Sequence, residues 1–203
     1  KVGRADIISG STGDILCSVT GPSGYVKQFL GLAATVRPLP SGFLGLSQPF
    51  AVQTPLYADP NQAEPSTWSR NGRIDIYSYD NTTNSCVLEN SYIGIQPGDR
   101  LGYNLLNIGD LDNDGSPELL STSKEQYSQA IVLYLLRGSG QVCRRVITIP
   151  GVMENVVEVV PDRDYDGEKD IAVGARNFDG PSGAASGATF FFSGAALKLS
   201  CNF

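Results

Sequence analysis

Two nine-residue segments of this chain share one grammar: Asp110-Leu111-Asp112-Asn113-Asp114-Gly115-Ser116-Pro117-Glu118 and Asp162-Arg163-Asp164-Tyr165-Asp166-Gly167-Glu168-Lys169-Asp170. Each sets carboxylates at loop positions 1, 3, 5 and 9 and Gly at position 6. Four acidic side chains and the backbone carbonyl of position 7, Ser116 or Glu168, can then wrap one hard cation, and calcium suits this flexible, all-oxygen geometry. Gly115 and Gly167 supply the left-handed backbone that lets the loop curl, a conformation that costs energy for any residue with a Cβ. The alternative is a solvated acidic turn that holds no metal. Two calcium sites are expected, the second tighter because Asp170 is a shorter ligand than Glu118.

What flanks the loops decides the fold. An EF-hand closes its loop with a bidentate Glu at position 12 and sits between helices. Here position 12 is Ser121 or Val173, and both loops run into strand-like sequence, Glu118 to Thr122 and Asp170 to Gly174. The preceding Tyr103 to Ile108 and Val156 to Val160 are equally β-prone. The unit is strand, calcium loop, strand. With 23 Gly, 12 Pro and no long apolar stretch of helical period, the chain is expected to be all-β.

Composition narrows the function. The net charge is −6, and Arg144-Arg145 is the only adjacent basic pair, so a nucleic-acid partner is not expected. The longest apolar run, Ala130 to Leu136, is far short of a membrane span. There is no histidine, which removes the commonest general base, and no nucleophile-elbow, dinucleotide or Walker A segment. Eight carboxylates already belong to the two loops, which leaves few for acid-base work. The expectation is a non-catalytic protein. The four Cys show no C-x-x-C pairing, which disfavours zinc, and together with calcium loops they suit an extracellular setting with disulfides.

A repeat of about 57 residues runs through the chain. Ile74-Asp75-Ile76-Tyr77 corresponds to Ile131-Val132-Leu133-Tyr134 and to Thr189-Phe190-Phe191-Phe192, and Cys86, Cys143 and Cys201 fall at the same offset after them. Filling in the period gives four strands per copy. The third copy reads Tyr103 to Gly109, Glu118 to Ser123, Ala130 to Arg137 and Cys143 to Ile149. The fourth reads Val156 to Val160, Asp170 to Ala175, Ala188 to Ser193 and Ala196 to Cys201. The second keeps Phe50 to Thr54, Arg73 to Tyr79 and Cys86 to Tyr92, with a carboxylate-free loop Ser41 to Pro49 that cannot hold a metal. The first is partial: Gly3 to Ile8 matches Gly167 to Ala172, followed by strands near Asp14 to Val19 and Tyr25 to Leu30. Four-stranded antiparallel units repeated radially are β-propeller blades, here spanning residues 1–32 (partial), 33–94, 95–151 and 152–203, with the calcium loops between strands 1 and 2.

These residues resemble the FG-GAP repeat of integrin α-subunit β-propellers. Leu101-Gly102-Tyr103 leading into Gly109-Asp110-Leu111-Asp112-Asn113-Asp114-Gly115, and Asp170-Ile171-Ala172-Val173-Gly174-Ala175 ending the other copy, carry the likeness, which is good over residues 91–200 and weak before them. The resemblance implies a calcium-stabilised, non-catalytic propeller used in adhesion, lectin-like binding or assembly. Integrin propellers have seven blades, and this chain accommodates fewer than four. The missing first strand is therefore expected from a longer polypeptide or from a neighbouring molecule, the latter building a filament.

Three further expectations follow. The long loop Pro55 to Gly72 carries Tyr57 and the only Trp, Trp68, as candidate contacts for a protein or a glycan ligand; the competing reading folds Trp68 over its own blade. Asn81-Thr82-Thr83 is an N-glycosylation sequon, expected exposed. Cys86, Cys143 and Cys201 share one phase on outer strands of successive blades, too far apart for mutual bridges, so at least one is expected free or paired outside its phase, for example with Cys17. The functional expectation is an extracellular adhesion or assembly protein, with a carbohydrate-binding lectin as the second reading.

Overall fold

The computed structural model describes residues 4–20, 35–57, 70–123, 130–149, 156–181, 183–184 and 186–201. Strands and turns dominate, and the chain divides into two compact units, Lys1–Gly102 and Tyr103–Phe203.

In the first unit β1 (Arg4–Ile8) and β2 (Ile15–Thr20) form an antiparallel hairpin. The four strands β3 (Thr35–Pro38), β4 (Phe50–Thr54), β5 (Arg73–Asp80) and β6 (Ser85–Ile93) form an antiparallel meander in chain order. The strand β3, absent from the sequence reading, is short and ends on Pro38, which is tolerated only at a sheet edge. Ala5, Ile7 and Val19 of the hairpin pack on Phe50, Val52 and Tyr77 of the meander, and the Phe50 and Tyr77 rings stack 5.6 Å apart. A disulfide, Cys17–Cys86, joins β2 to β6 with the Cα atoms 5.4 Å apart.

The hairpin is a counterpart of β5–β6. Arg4 Nε donates to Asp6 Oδ1 at 2.5 Å, and Ser18 Oγ bonds both residues at 2.9 and 2.7 Å. Across β5 and β6, Arg73, Asp75 and Ser91 repeat the arrangement at 2.6, 3.0 and 2.6 Å. The segments Gly3-Arg4-Ala5-Asp6-Ile7 and Gly72-Arg73-Ile74-Asp75-Ile76 read alike, and the bridged cysteines follow at equal spacing. The match of Gly3–Ile8 to Gly167–Ala172 made β1 a second strand; its cross-strand network makes it a third. The strand expected near Tyr25 to Leu30 lies outside the described residues.

In the second unit β7 (Asn104–Gly109), β8 (Glu118–Ser123), β9 (Ala130–Leu136) and β10 (Val142–Thr148) form a second four-stranded meander, and β11 (Val156–Val160), β12 (Asp170–Ala175) and β13 (Ala188–Phe192) a three-stranded one. Ala130–Leu136 is apolar at every position and buried at every position, as a central strand covered on both faces requires. Ile131, Leu133 and Leu135 meet Val157, Ile171 and Val173 of the neighbouring sheet in one core. Asn104 Nδ2 donates to the Val157 carbonyl at 3.1 Å, linking the first strands of the two sheets.

The last element corrects the repeat. Ala196 to Cys201 was expected to be a fourth strand, but Gly194–Ser200 is a helix, α1. Ala195, Ala196, Leu197 and Lys198 are strong helix formers, and the Ser193 hydroxyl accepts the Ala196 N–H at 3.3 Å as an N-cap. Seven residues advance about 10 Å as a helix against about 23 Å as a strand, so the chain doubles back. Cys201 thereby reaches Cys143, with the Cα atoms 5.7 Å apart, although the two share a phase. Cys86 pairs outside its phase with Cys17, as expected, and none of the four cysteines is free.

The all-β class and the four-stranded antiparallel meander hold for β3–β6 and β7–β10. No described sheet closes on itself, and a radial ring of blades is not displayed by either unit.

Gly72 shows how tightly the first unit is drawn together. Its φ is 75°, it bridges Leu101, and a Cβ there would stand 2.1 Å from the Leu101 nitrogen. Gly72→Ala is expected to cost about 3 kcal/mol by combined strain and overpacking, read as a lower midpoint in urea unfolding. Gly10→Ala, which meets nothing within 4 Å, should stay within about 0.5 kcal/mol of the parent.

Candidate metal centres

Both acidic loops connect the first and second strands of their sheets, β7 to β8 and β11 to β12. Most of their hydrogen bonds recur at equivalent positions; one difference is that Asp110 Oδ1 takes the Asp114 N–H at 3.1 Å, whereas Asp162 Oδ1 takes the Tyr165 N–H, one position earlier, at 2.6 Å. The closing carboxylate takes the N–H of loop position 2: Leu111 N to Glu118 Oε2 at 2.7 Å, and Arg163 N to Asp170 Oδ2 at 2.7 Å. The first carboxylate takes the glycine N–H: Gly115 N to Asp110 Oδ2 at 2.9 Å, and Gly167 N to Asp162 Oδ2 at 2.8 Å. The third takes the N–H of position 7: Ser116 N to Asp114 Oδ1 at 2.8 Å, and Glu168 N to Asp166 Oδ1 at 2.9 Å. Both loops turn through left-handed residues at positions 4 and 6: Asn113 (φ 61°) and Gly115 (φ 88°), then Tyr165 (φ 64°) and Gly167 (φ 96°). Asn and Gly accept that conformation readily, whereas Tyr does so at a cost, and Tyr165 is 92% exposed.

Three carboxylates converge in each loop. One oxygen from each of Asp110, Asp112 and Glu118 lies within 4.8 Å of the others, and the same holds for Asp162, Asp164 and Asp170. Two oxygens bound to one calcium at about 2.4 Å can stand at most about 4.8 Å apart, so the spacing fits a shared ion. Asp114 and Asp166, also expected as ligands, lie outside these clusters on the exposed rim. Ser116 and Glu168 were expected to offer backbone carbonyls, and their N–H groups close the turn onto Asp114 and Asp166.

The electrostatics carry the mark of crowded carboxylates. Glu118 is fully buried, and its Oε1 has no hydrogen-bond partner. Burial pushes its pKa up to about 7, the charges of Asp114 and Asp110 add to the rise, and the Leu111 N–H opposes it. Desolvation and the Asp166 charge raise Asp164. Asp166 is held below the ordinary carboxylate range, first by the Glu168 N–H and then by the Ser193 hydroxyl. An orphaned carboxylate oxygen beside two further carboxylates is an environment that a divalent cation would satisfy.

The surroundings of the loops were not legible in the motif. The Arg137 guanidinium pairs with Asp112 Oδ2. Lys198 Nζ of α1 stands 3.2 Å from Glu168 Oε1, and Ser193 Oγ donates to Asp166 Oδ2 at 2.8 Å. A Cβ on Gly109 would lie 3.9 Å from Lys169 Nζ, so the second loop's ammonium borders the backbone entering the first.

The other expected sites fare differently. Tyr57, a candidate ligand contact, is buried, with the Arg73 guanidinium carbon 5.3 Å from the centre of its ring. Trp68 lies outside the described residues. Asn81 is exposed in the β5–β6 turn, where Asp80 accepts Thr82 Oγ1 at 2.6 Å and Thr83 Oγ1 at 2.7 Å. Those bonds, with the Thr82 N–H, hold the Asp80 carboxyl at about 2. Among the described residues, no helix is long and apolar enough to cross a membrane. No protein-family model matches the chain, and no curated protein matches it.

Glu118 sets a pH dependence for the metal-free protein. Its folded pKa lies above the ordinary 4.5, so the unfolded chain ionises first. Its contribution to folding is greatest below pH 4.5 and is lost as pH rises towards 7, with a slope of at most about 1.4 kcal/mol per pH unit. Denaturant midpoints measured in chelator from pH 4.5 to 8 should show this fall, and Glu118→Gln should flatten it.

Proposed function

We propose that the chain is a non-catalytic calcium-binding module of extracellular surfaces, made of FG-GAP-type β-blades and acting through protein contacts in adhesion or assembly. The observation that carries the calcium reading is the buried Glu118, whose Oε1 has no hydrogen-bond partner, among three carboxylates that each offer an oxygen within 4.8 Å of the others, a convergence of carboxylates that the second loop repeats. All the converging donors are carboxylate oxygens, which favours a hard cation such as calcium over nitrogen- or sulfur-preferring metals. Two disulfides and the absence of free cysteine support an oxidising compartment.

The contact reading rests on the two-stranded sheet. Among the described residues β1 pairs only with β2, whereas its counterpart β5 is flanked by both β4 and β6. The other edge of β1 is the place where the counterparts of β3 and β4 would add to complete a four-stranded blade, from the same polypeptide or from a neighbour. Nothing observed favours a sugar ligand.

Calcium at one hundred times its Kd should stabilise the protein by about 2.7 kcal/mol per site, with magnesium far less effective and chelator reversing the gain. Native mass spectrometry should count two calcium ions, and Asp110→Asn or Asp162→Asn should each remove one. A melting temperature indifferent to calcium would dispose of the metal reading. Light scattering that finds a monomer at every concentration, with and without calcium, would dispose of self-assembly.

A further inference from the structure

The two loops share a hydrogen-bond skeleton but differ in what faces it. In the first sheet Leu136 of β9 pairs with Leu119 of β8, and the next residue is Arg137. In the second, Phe192 of β13 pairs with Ile171 of β12, and the next residue is Ser193. Arg137 and Ser193 therefore occupy one structural position beside the two loops. Arg137 brings a full positive charge onto Asp112, one of the three converging carboxylates. Ser193 brings a neutral hydroxyl, and to Asp166 on the rim.

Both Asp112 oxygens are consequently engaged, Oδ1 by the Asp114 N–H at 3.2 Å and Oδ2 by Arg137. The guanidinium is itself held in place, since its other terminal nitrogen donates to Gln141 Oε1 at 3.0 Å across the β9–β10 turn. Among the described residues, no comparable charge enters the cluster of the second loop. Arg163 lays its guanidinium over the Phe191 ring at 5.9 Å, and Lys198 pairs with Glu168, which is not among the converging carboxylates.

We propose that Arg137 is a built-in counter-ion of the first loop that competes with the incoming cation, so that the two sites fill in order, residues 162–170 first and residues 110–118 second. This rests on the reading that both loops bind a divalent cation. A guanidinium bonded to Asp112 would stand within about 5 Å of a cation ligated by the same carboxylate, a separation at which like charges repel well beyond thermal energy. Filling the first loop therefore requires Arg137 to leave Asp112, which also loosens its grip on Gln141 and couples metal arrival to the β9–β10 turn. In the metal-free protein the same ion pair lowers the mutual repulsion of Asp110, Asp112 and Glu118.

The test is calcium titration calorimetry on the full chain at low salt, comparing the parent with Arg137→Gln, which keeps a hydrogen-bonding side chain but removes the charge. The parent should show two unequal sites, and Asp162→Asn should abolish the tighter one. Arg137→Gln should raise the affinity of the weaker site by about tenfold or more, leave the tighter site unchanged, and lower the melting temperature in chelator. Opposite signs for affinity and metal-free stability are what a merely structural role would not give. A weaker site left unchanged or weakened by Arg137→Gln overturns the proposal and makes Arg137 a residue that orients Asp112. An absence of calcium binding in a folded parent overturns the metal reading itself, and the proposal with it.

Discussion

A carboxylate buried at the foot of each acidic loop is the constraint around which the second unit is arranged. Glu118 and Asp170 are the first residues of β8 and β12, and both are almost inaccessible to water. A charge so placed is costly unless it is met by donors or a cation. Each one draws in the N–H of loop position 2, and this bond turns the chain back from β7 to β8 or from β11 to β12. Asp170 also receives the Gly194 N–H at 3.3 Å, so the same carboxylate seats the start of α1. Glu118 lacks that second partner: its Oε1 is unsatisfied, and burial raises its pKa.

Among the described residues, the first unit fastens its sheets without such loops. Where the second unit gathers three carboxylates in each acidic loop, β1–β2 and β5–β6 use an arginine, an aspartate and a serine that bond one another across the strands. The Cys17–Cys86 bridge then ties the two hairpins by the same relative position in each.

The loops and strands flanking them were readable because their signals are local: alternating carboxylates, a glycine where φ must be positive, and β-branched or apolar runs on either side. The apolar run Ala130–Leu136 announced a central strand in the same way. Local pattern misled where two readings competed. Ala196 to Cys201 continues the repeat as a strand, but Ala195 to Lys198 has helical propensity, and the Ser193 cap tips the balance. The Gly3–Ile8 segment resembles two others, and only the Arg4, Asp6 and Ser18 network across the strands decides which one it matches.

By itself the sequence determined the all-β class, the two acidic loops and the identity of their acidic residues, because each depends on residues within one turn or one strand of each other. Tertiary structure decided which three carboxylates of each loop converge and that Tyr57 is buried. It also decided that Cys143 meets Cys201 and that Arg137 faces the first loop where Ser193 faces the second. Those outcomes depend on strand register and on where a helix shortens the chain, and such contacts between distant segments leave no periodic trace in the order of the residues.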